Sequence, residues 1–198
     1  MAYAFPTHKL CLAGPDTNAA MHMRRMGQIR KTPLVIVACG SYSPITYLHL
    51  RMFEMARDHI RDHDKYTVVG GYFSPVSDAY SKPGLCAQHH RIHMCTLATN
   101  DSEWLMVDSW EARQKTFVRT ASVLDHFREE IDRIAPGVAI MLLAGGDLIQ
   151  SFAVPNLWLK KDLDHILGDF GCLIVERTGA NVHDFLLTND SLYVHRVN

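Results

Sequence analysis

Several things are missing from this sequence, and each absence removes a class of function. No apolar run reaches the roughly 18 residues that a membrane-crossing helix needs, so no transmembrane helix is expected. There is no basic excess: 20 Lys and Arg face 21 Asp and Glu, for a net charge of −1, so the electrostatic footprint of a nucleic-acid binder is lacking. The five cysteines, Cys11, Cys39, Cys86, Cys95 and Cys172, form no C-x-x-C pair. Their odd number and spacing predict reduced thiols in an intracellular protein and argue against a zinc site. Neither G-x-G-x-x-G nor a G-K-[ST] phosphate loop is present.

What remains is a chain of 198 residues, 47% apolar and 21% charged, which fits one soluble domain with a sizeable core. Residues 1–32 lack clear periodicity, and acidic residues are sparse before Glu54. Met21-His22-Met23-Arg24-Arg25-Met26 is basic, but Pro6, Pro15 and Asp16 interrupt any transit-peptide helix. A flexible extension over 1–32 is expected, followed by a single domain over 33–198. His89, His90 and His93 cluster on one predicted helix and read as a helix face rather than a metal site.

The rest alternates. Leu34–Cys39 reads as a buried parallel strand, and from Thr46 onward Leu48, Met52, Phe53, Met55 and Ile60 recur at helical spacing. Further strands are predicted at 66–73, 104–107, 139–144 and 171–175. Helices are predicted at 89–99, 111–134, 148–152 and 159–167, with Val118, Val123, Leu124, Phe127, Ile131 and Ile134 as core positions of the longest. This is an α/β pattern: a parallel sheet flanked by helices on both faces, with ligands at the carboxyl ends of its strands. The loops after Cys39 and after Ala144 both fall there.

The first of these loops joins a strand to a helix N-terminus, a natural anion site. Gly40 permits a tight turn and close phosphate approach. Thr46 and His49 stand three residues apart, on one helix face, where two donors could hold the oxygens of a phosphoryl group. Spacing alone does not separate that role from a structural one.

The stretch Val37-Ala38-Cys39-Gly40-Ser41-Tyr42-Ser43-Pro44-Ile45-Thr46-Tyr47-Leu48-His49 is very similar to the first motif of eukaryotic nicotinamide/nicotinate mononucleotide adenylyltransferases. That family usually reads Gly-Ser-Phe-Asn-Pro-Ile-Thr, and Tyr42 and Ser43 replace its Phe and Asn. The resemblance continues through Gly70–Tyr80, His90-Arg91, Val107–Glu111, Leu142–Ile149, Pro155–Trp158 and Glu176-Arg177, in the family's order and with a fungal flavour. It implies a Rossmann-like nucleotidyltransferase fold. It also implies transfer of AMP from ATP to nicotinamide or nicotinate mononucleotide, with Mg2+ accompanying ATP.

By resemblance, His49 is the catalytic residue, donating to the α-phosphate. Gly40, Ser41, Tyr42, Thr46, Lys82, Gly145 and Asp147 serve ATP and its phosphates. Phe117, Thr120, Leu157, Trp158 and Arg177 serve the nicotinamide nucleotide; Phe117 stands where the family has a Trp or Tyr that stacks on the pyridine. A core position for Phe117 and a surface ion pair for Arg177 are the plainer alternatives. ATP and the mononucleotide are the implied partners, with homo-oligomer formation left open, and the implied location is nucleus or cytoplasm rather than mitochondrion.

The family pattern continues past a block like His195-Arg196-Val197-Asn198 with another strand and Ile-Ser-Ser-Thr-x-x-Arg, a phosphate clamp absent from this sequence. Two readings follow: a piece of an active enzyme, which is preferred, or a short, catalytically weak, nucleotide-binding or chaperone-like relative. A different nucleotidyltransferase of the same superfamily is a third reading, opposed by Trp110 and Leu157-Trp158.

Overall fold

The computed structural model describes residues 3–12, 31–176 and 194. Within them a five-stranded sheet runs in the order β3-β2-β1-β4-β5, and every pairing is parallel. The strands are β1 (Thr32–Gly40), β2 (Tyr66–Pro75), β3 (Leu105–Val107), β4 (Ala139–Gly145) and β5 (Cys172–Val175). Between them lie α1 (Tyr47–Arg61), α2 (Gln88–Thr99), α3 (Thr120–Ile134), α4 (Gly146–Ser151) and α5 (Lys160–His165). A parallel sheet needs cover on both faces, and β1 shows it. Leu34, Ile36 and Ala38 pack into one layer with Phe53, Ala56 and Ile60 of α1 and Cys95 of α2. Val35 and Val37 point the other way, to Val123, Leu124, Phe127 and Ile131 of α3. Each such large apolar side chain contributes about 1.5–3 kcal/mol by leaving water.

The strand order makes β1 and β4 neighbours. The chain leaves β1 toward β2 and β3, and leaves β4 toward β5 on the other side. That seam is the switch point at which open α/β sheets form crevices.

Two expectations from sequence are corrected. The helix expected over 111–134 is broken. A 3-10 turn at Glu111–Arg113 gives way to extended backbone at Gln114 (ψ 141), and α3 starts only at Thr120. Ser77 Oγ donates to the Thr116 carbonyl at 3.2 Å, a tertiary bond that takes this carbonyl away from any helix ladder. Ile134, expected in the core, is 44% exposed because it sits at the end of α3.

Residues 3–12, expected to be part of a flexible extension, are packed on the sheet's α3 side. Phe5, Leu10 and Leu12 join that apolar layer. Phe5 stacks on Tyr72 with centroids 5.2 Å apart, and Tyr72 Oη donates to the Pro6 carbonyl at 2.7 Å. β2 carries a bulge: Leu34 pairs with Val68 but Val35 with Gly70, which leaves Val69 over. The Val69 carbonyl accepts the Cys11 N–H at 2.8 Å. Gly70 makes room, since a Cβ there would lie 2.6 Å from Leu10 Cδ2.

Candidate active site

A cleft of about 780 Å³ opens over the β1–β4 seam, at the carboxyl ends of the strands. Its first wall is the loop after β1. Here Tyr42 adopts φ 46, a left-handed backbone, and its ring folds back beneath Gly40. A Cβ on Gly40 would stand 2.9 Å from Tyr42 Cζ, so the turn requires glycine. The buried Tyr42 hydroxyl donates to the Ala38 carbonyl at 2.8 Å. Its ring meets His49 nearly edge-on, 5.3 Å between centroids. Tyr42 is thus the underside of the loop, with its hydroxyl already committed to the chain.

His49 sits in the first turn of α1. The Thr46 N–H donates to His49 Nδ1 at 3.0 Å, and Thr46 Oγ1 lies 2.8 Å from the same nitrogen. A backbone amide can only donate, so Nδ1 accepts and a neutral ring carries its proton on Nε2. Thr46 does not line the cleft. The structure shows it as the orienting partner of His49.

Lys82 reaches the same loop, with Nζ 3.5 Å from Ser41 Oγ. The two loops are tied together by Arg91, whose side chain is wholly buried. Its guanidinium donates to the Cys86 carbonyl at 2.7 Å, the Ser41 carbonyl at 3.2 Å and Asp78 Oδ1 at 2.9 Å. Burial works to raise Asp78, but the Arg91 hydrogen bond and charge hold its carboxyl below the ordinary value. Cys86 N–H donates in turn to Ser43 Oγ at 3.0 Å.

The second wall follows β4. Gly145 ends the strand, and Asp147 stands in the first turn of α4 and lines the cleft. A carboxylate there accepts hydrogen bonds from paired hydroxyls, as a ribose would supply. Leu157 is exposed at the rim. Trp158 is fixed: its Nε1 donates to Ser151 Oγ at 3.0 Å, and its ring abuts Phe152 with centroids 4.8 Å apart.

The far end of the cleft holds Phe117, Thr120 and Tyr80. Phe117 is no core residue: it is 51% exposed and stacks on Tyr80 with centroids 5.7 Å apart. Arg119 pairs with Asp162 across the cleft at 3.2 Å. On the floor Glu111 is buried and accepts from Ser74 Oγ. Burial pushes its carboxyl up to about 8, against the lowering effect of the Ser74 bond.

Of the residues singled out from sequence, the structure gathers Gly40, Ser41, Tyr42, His49, Lys82, Phe117, Thr120, Gly145, Asp147, Leu157 and Trp158 around one cleft. Arg177 lies outside the described residues. Sequence reasoning missed Arg91 and Glu111 as site builders. Arg91 carried a readable signal, a charge in register with Cys95 and Thr99 on the buried face of α2. His89, His90 and His93 are exposed on the same helix. Among the described residues no group of three His, Cys, Asp or Glu side chains could hold a metal ion.

Comparison with known proteins agrees with this geometry. The family model described as cytidylyltransferase-like matches residues 37–195. The chain is 54% identical, over 99% of its own length, to the Saccharomyces cerevisiae nicotinamide/nicotinic acid mononucleotide adenylyltransferase 1, covering 49% of that protein. Identity to the Schizosaccharomyces pombe nicotinamide/nicotinic acid mononucleotide adenylyltransferase is 51%, over 99% of this chain and 53% of the relative. Against the Bos taurus nicotinamide/nicotinic acid mononucleotide adenylyltransferase 1 it is 36%, over 87% of this chain and 75% of the relative. The chain therefore spans about half the length of the yeast relatives it matches.

Proposed function

We propose that this chain, which belongs to the nicotinamide/nicotinic acid mononucleotide adenylyltransferase family within the cytidylyltransferase-like fold, joins ATP to nicotinamide or nicotinate mononucleotide. The 5′-phosphate oxygen of the mononucleotide attacks the α-phosphorus of ATP. The bond from that phosphorus to the β-phosphate oxygen breaks, and the products are the dinucleotide and pyrophosphate. The nucleophile is already an anion, so no strong base is required. What the site must do is align two mutually repelling phosphates and take up charge on the α-phosphate.

The observation that carries this reading is the orientation of His49. Its Nδ1 is held by the Thr46 N–H at 3.0 Å, which puts the ring's proton on Nε2 in a cleft that Gly40 and Ser41 also line. A neutral imidazole donor there serves the α-phosphate oxygens in the transition state, and Lys82 adds positive charge alongside. Asp147 suits the adenosine ribose. Phe117 offers a π face to the pyridine, with Thr120, Leu157 and Trp158 around it. With no three-ligand protein cluster among the described residues, Mg2+ would arrive on the triphosphate and neutralise charge on the leaving pyrophosphate.

The reading extends to a nuclear or cytoplasmic location. Support comes from residues 3–12, whose Phe5, Leu10 and Leu12 are built into the apolar layer over β2. A fluorescent fusion that concentrated in mitochondria would overturn that part. The activity is tested with purified protein, nicotinamide mononucleotide and Mg-ATP in a coupled NAD assay. NAD formation above blank is expected, and its absence with folded protein would refute the enzymatic reading for this chain. Replacing the acceptor by nicotinate mononucleotide gives the preference between the two.

A further inference from the structure

We propose that residues 3–12 form a strap that positions the Trp110–Arg119 wall of the cleft, acting through Tyr3, His126 and Asp108. The proposal rests on the reading that this wall receives the mononucleotide.

Tyr3 Oη lies 2.9 Å from His126 Nε2, and the same nitrogen lies 3.1 Å from Asp108 Oδ2. A carboxylate only accepts, so Nε2 carries the proton and donates toward Asp108. Tyr3 Oη then lies where it accepts from the same N–H, so one imidazole N–H faces both the tyrosine and the carboxylate. Burial raises the Tyr3 hydroxyl well above its ordinary value, with the charge of Asp108 and a hydrogen bond to it adding to the effect. Asp108 is fully buried and His126 is 7% exposed. Three polar groups thus meet in an apolar setting, where removing one weakens the arrangement of the other two.

The far side of this cluster is the wall itself. Asp108 Oδ1 accepts the Trp110 N–H at 3.2 Å. The Trp110 ring lies flat on His126, centroids 4.1 Å apart and planes 6° from parallel. Gln114 Nε2 donates to the Trp110 carbonyl at 2.9 Å. From there the chain bends at Lys115 and Thr116 and runs on to Phe117 and Thr120, which line the cleft. The anchors on the strap side are equally specific: Cys11 on the bulge carbonyl of Val69 and Lys9 Nζ on the Thr99 carbonyl at 2.7 Å. The strap is therefore tied to the sheet at one end and to the root of the cleft wall at the other. Tyr3 does not itself line the cleft; it is a positioning residue.

The test is Tyr3→Phe, which keeps the ring and its packing and removes only the hydroxyl. Two measurements are made on parent and variant: amide hydrogen exchange by mass spectrometry, and calorimetric binding of nicotinamide mononucleotide and of ATP. Exchange over residues 110–119 should rise about three- to tenfold in the variant, while residues 40–49 stay as in the parent. Affinity for nicotinamide mononucleotide should fall by a similar factor, with ATP affinity within about twofold. Unchanged exchange at 110–119, or an equal rise at 40–49, would overturn the strap. So would equal weakening of both ligands, or a lowered melting temperature with both ligands bound as in the parent. If the parent binds ATP but no mononucleotide, the substrate reading fails, and the exchange comparison alone decides the strap.

Discussion

Thr46 holds His49 by its main chain: the Thr46 N–H donates to Nδ1 at 3.0 Å. The tautomer with its proton on Nε2 is thus written into the first turn of α1. His49→Ala is expected to lower turnover by about 100- to 1,000-fold, the range for loss of one transition-state donor. His49 is only partly buried, so the far-ultraviolet circular dichroism should not change. Thr46→Val keeps the amide donor and should lose much less. Equal rates for His49→Ala and the parent in the NAD assay would remove His49 from the chemistry.

Arg91 ties three chain segments from a fully buried position. Arg91→Met leaves the Ser41 and Cys86 carbonyls without this donor, and the expected loss of stability is about 2–4 kcal/mol by urea unfolding. Arg91→Lys should restore part of it, since an ammonium reaches fewer of the three acceptors. A methionine variant as stable as the parent would show that these bonds contribute little.

Glu111 makes stability depend on pH. Its carboxyl ordinarily titrates near 4.5 and is raised to about 8 in the fold. A group raised on folding contributes stability that is fully present below the unfolded value and lost as pH climbs through the folded one. Unfolding free energy should therefore decline between about pH 5 and pH 8, by at most about 1.4 kcal/mol per pH unit. Glu111→Gln cannot ionise and should flatten that decline. Parallel curves for variant and parent would show that Glu111 is ionised throughout.

His165 bridges two carboxylates. Its Nε2 lies 2.7 Å from Asp125 of α3, and its Nδ1 bonds Asp169. The hydrogen bonds to Asp125 and Asp169 raise its pKa above the ordinary 6.5. The clamp is at full strength below 6.5 and fades as pH passes the raised value. His165→Gln should lower the melting temperature at pH 5.5 and make little difference at pH 9. The opposite ordering would show that the imidazole is neutral in the fold.

Much of this was legible in the sequence, for reasons that differ by residue. Leu34–Cys39 could be read as a buried strand because β-branched and apolar residues run without a polar break. Its observed extent, Thr32–Gly40, differs only at the ends. The cleft residues after β1 and β4 could be placed together because parallel strands put their carboxyl ends on one side. The break between Glu111 and Thr120 could not be seen, because Ser77, distant in sequence, takes the Thr116 carbonyl. The strap was invisible for a similar reason. Tyr3, Phe5 and Leu10 have no helix or strand period; each answers a separate feature of the sheet, and Leu10 answers the missing side chain of Gly70.

The seam under the cleft has a kinetic consequence. β1 and β4 are joined residue by residue from Leu34 and Ala139 to Val37 and Leu142, so the two walls rise from one continuous plate. Spreading the two walls apart at their base would require breaking this ladder. On the reading proposed above, exchange of ligands is expected to depend on the connecting segments around Lys82 and Leu157, which line the cleft above this plate.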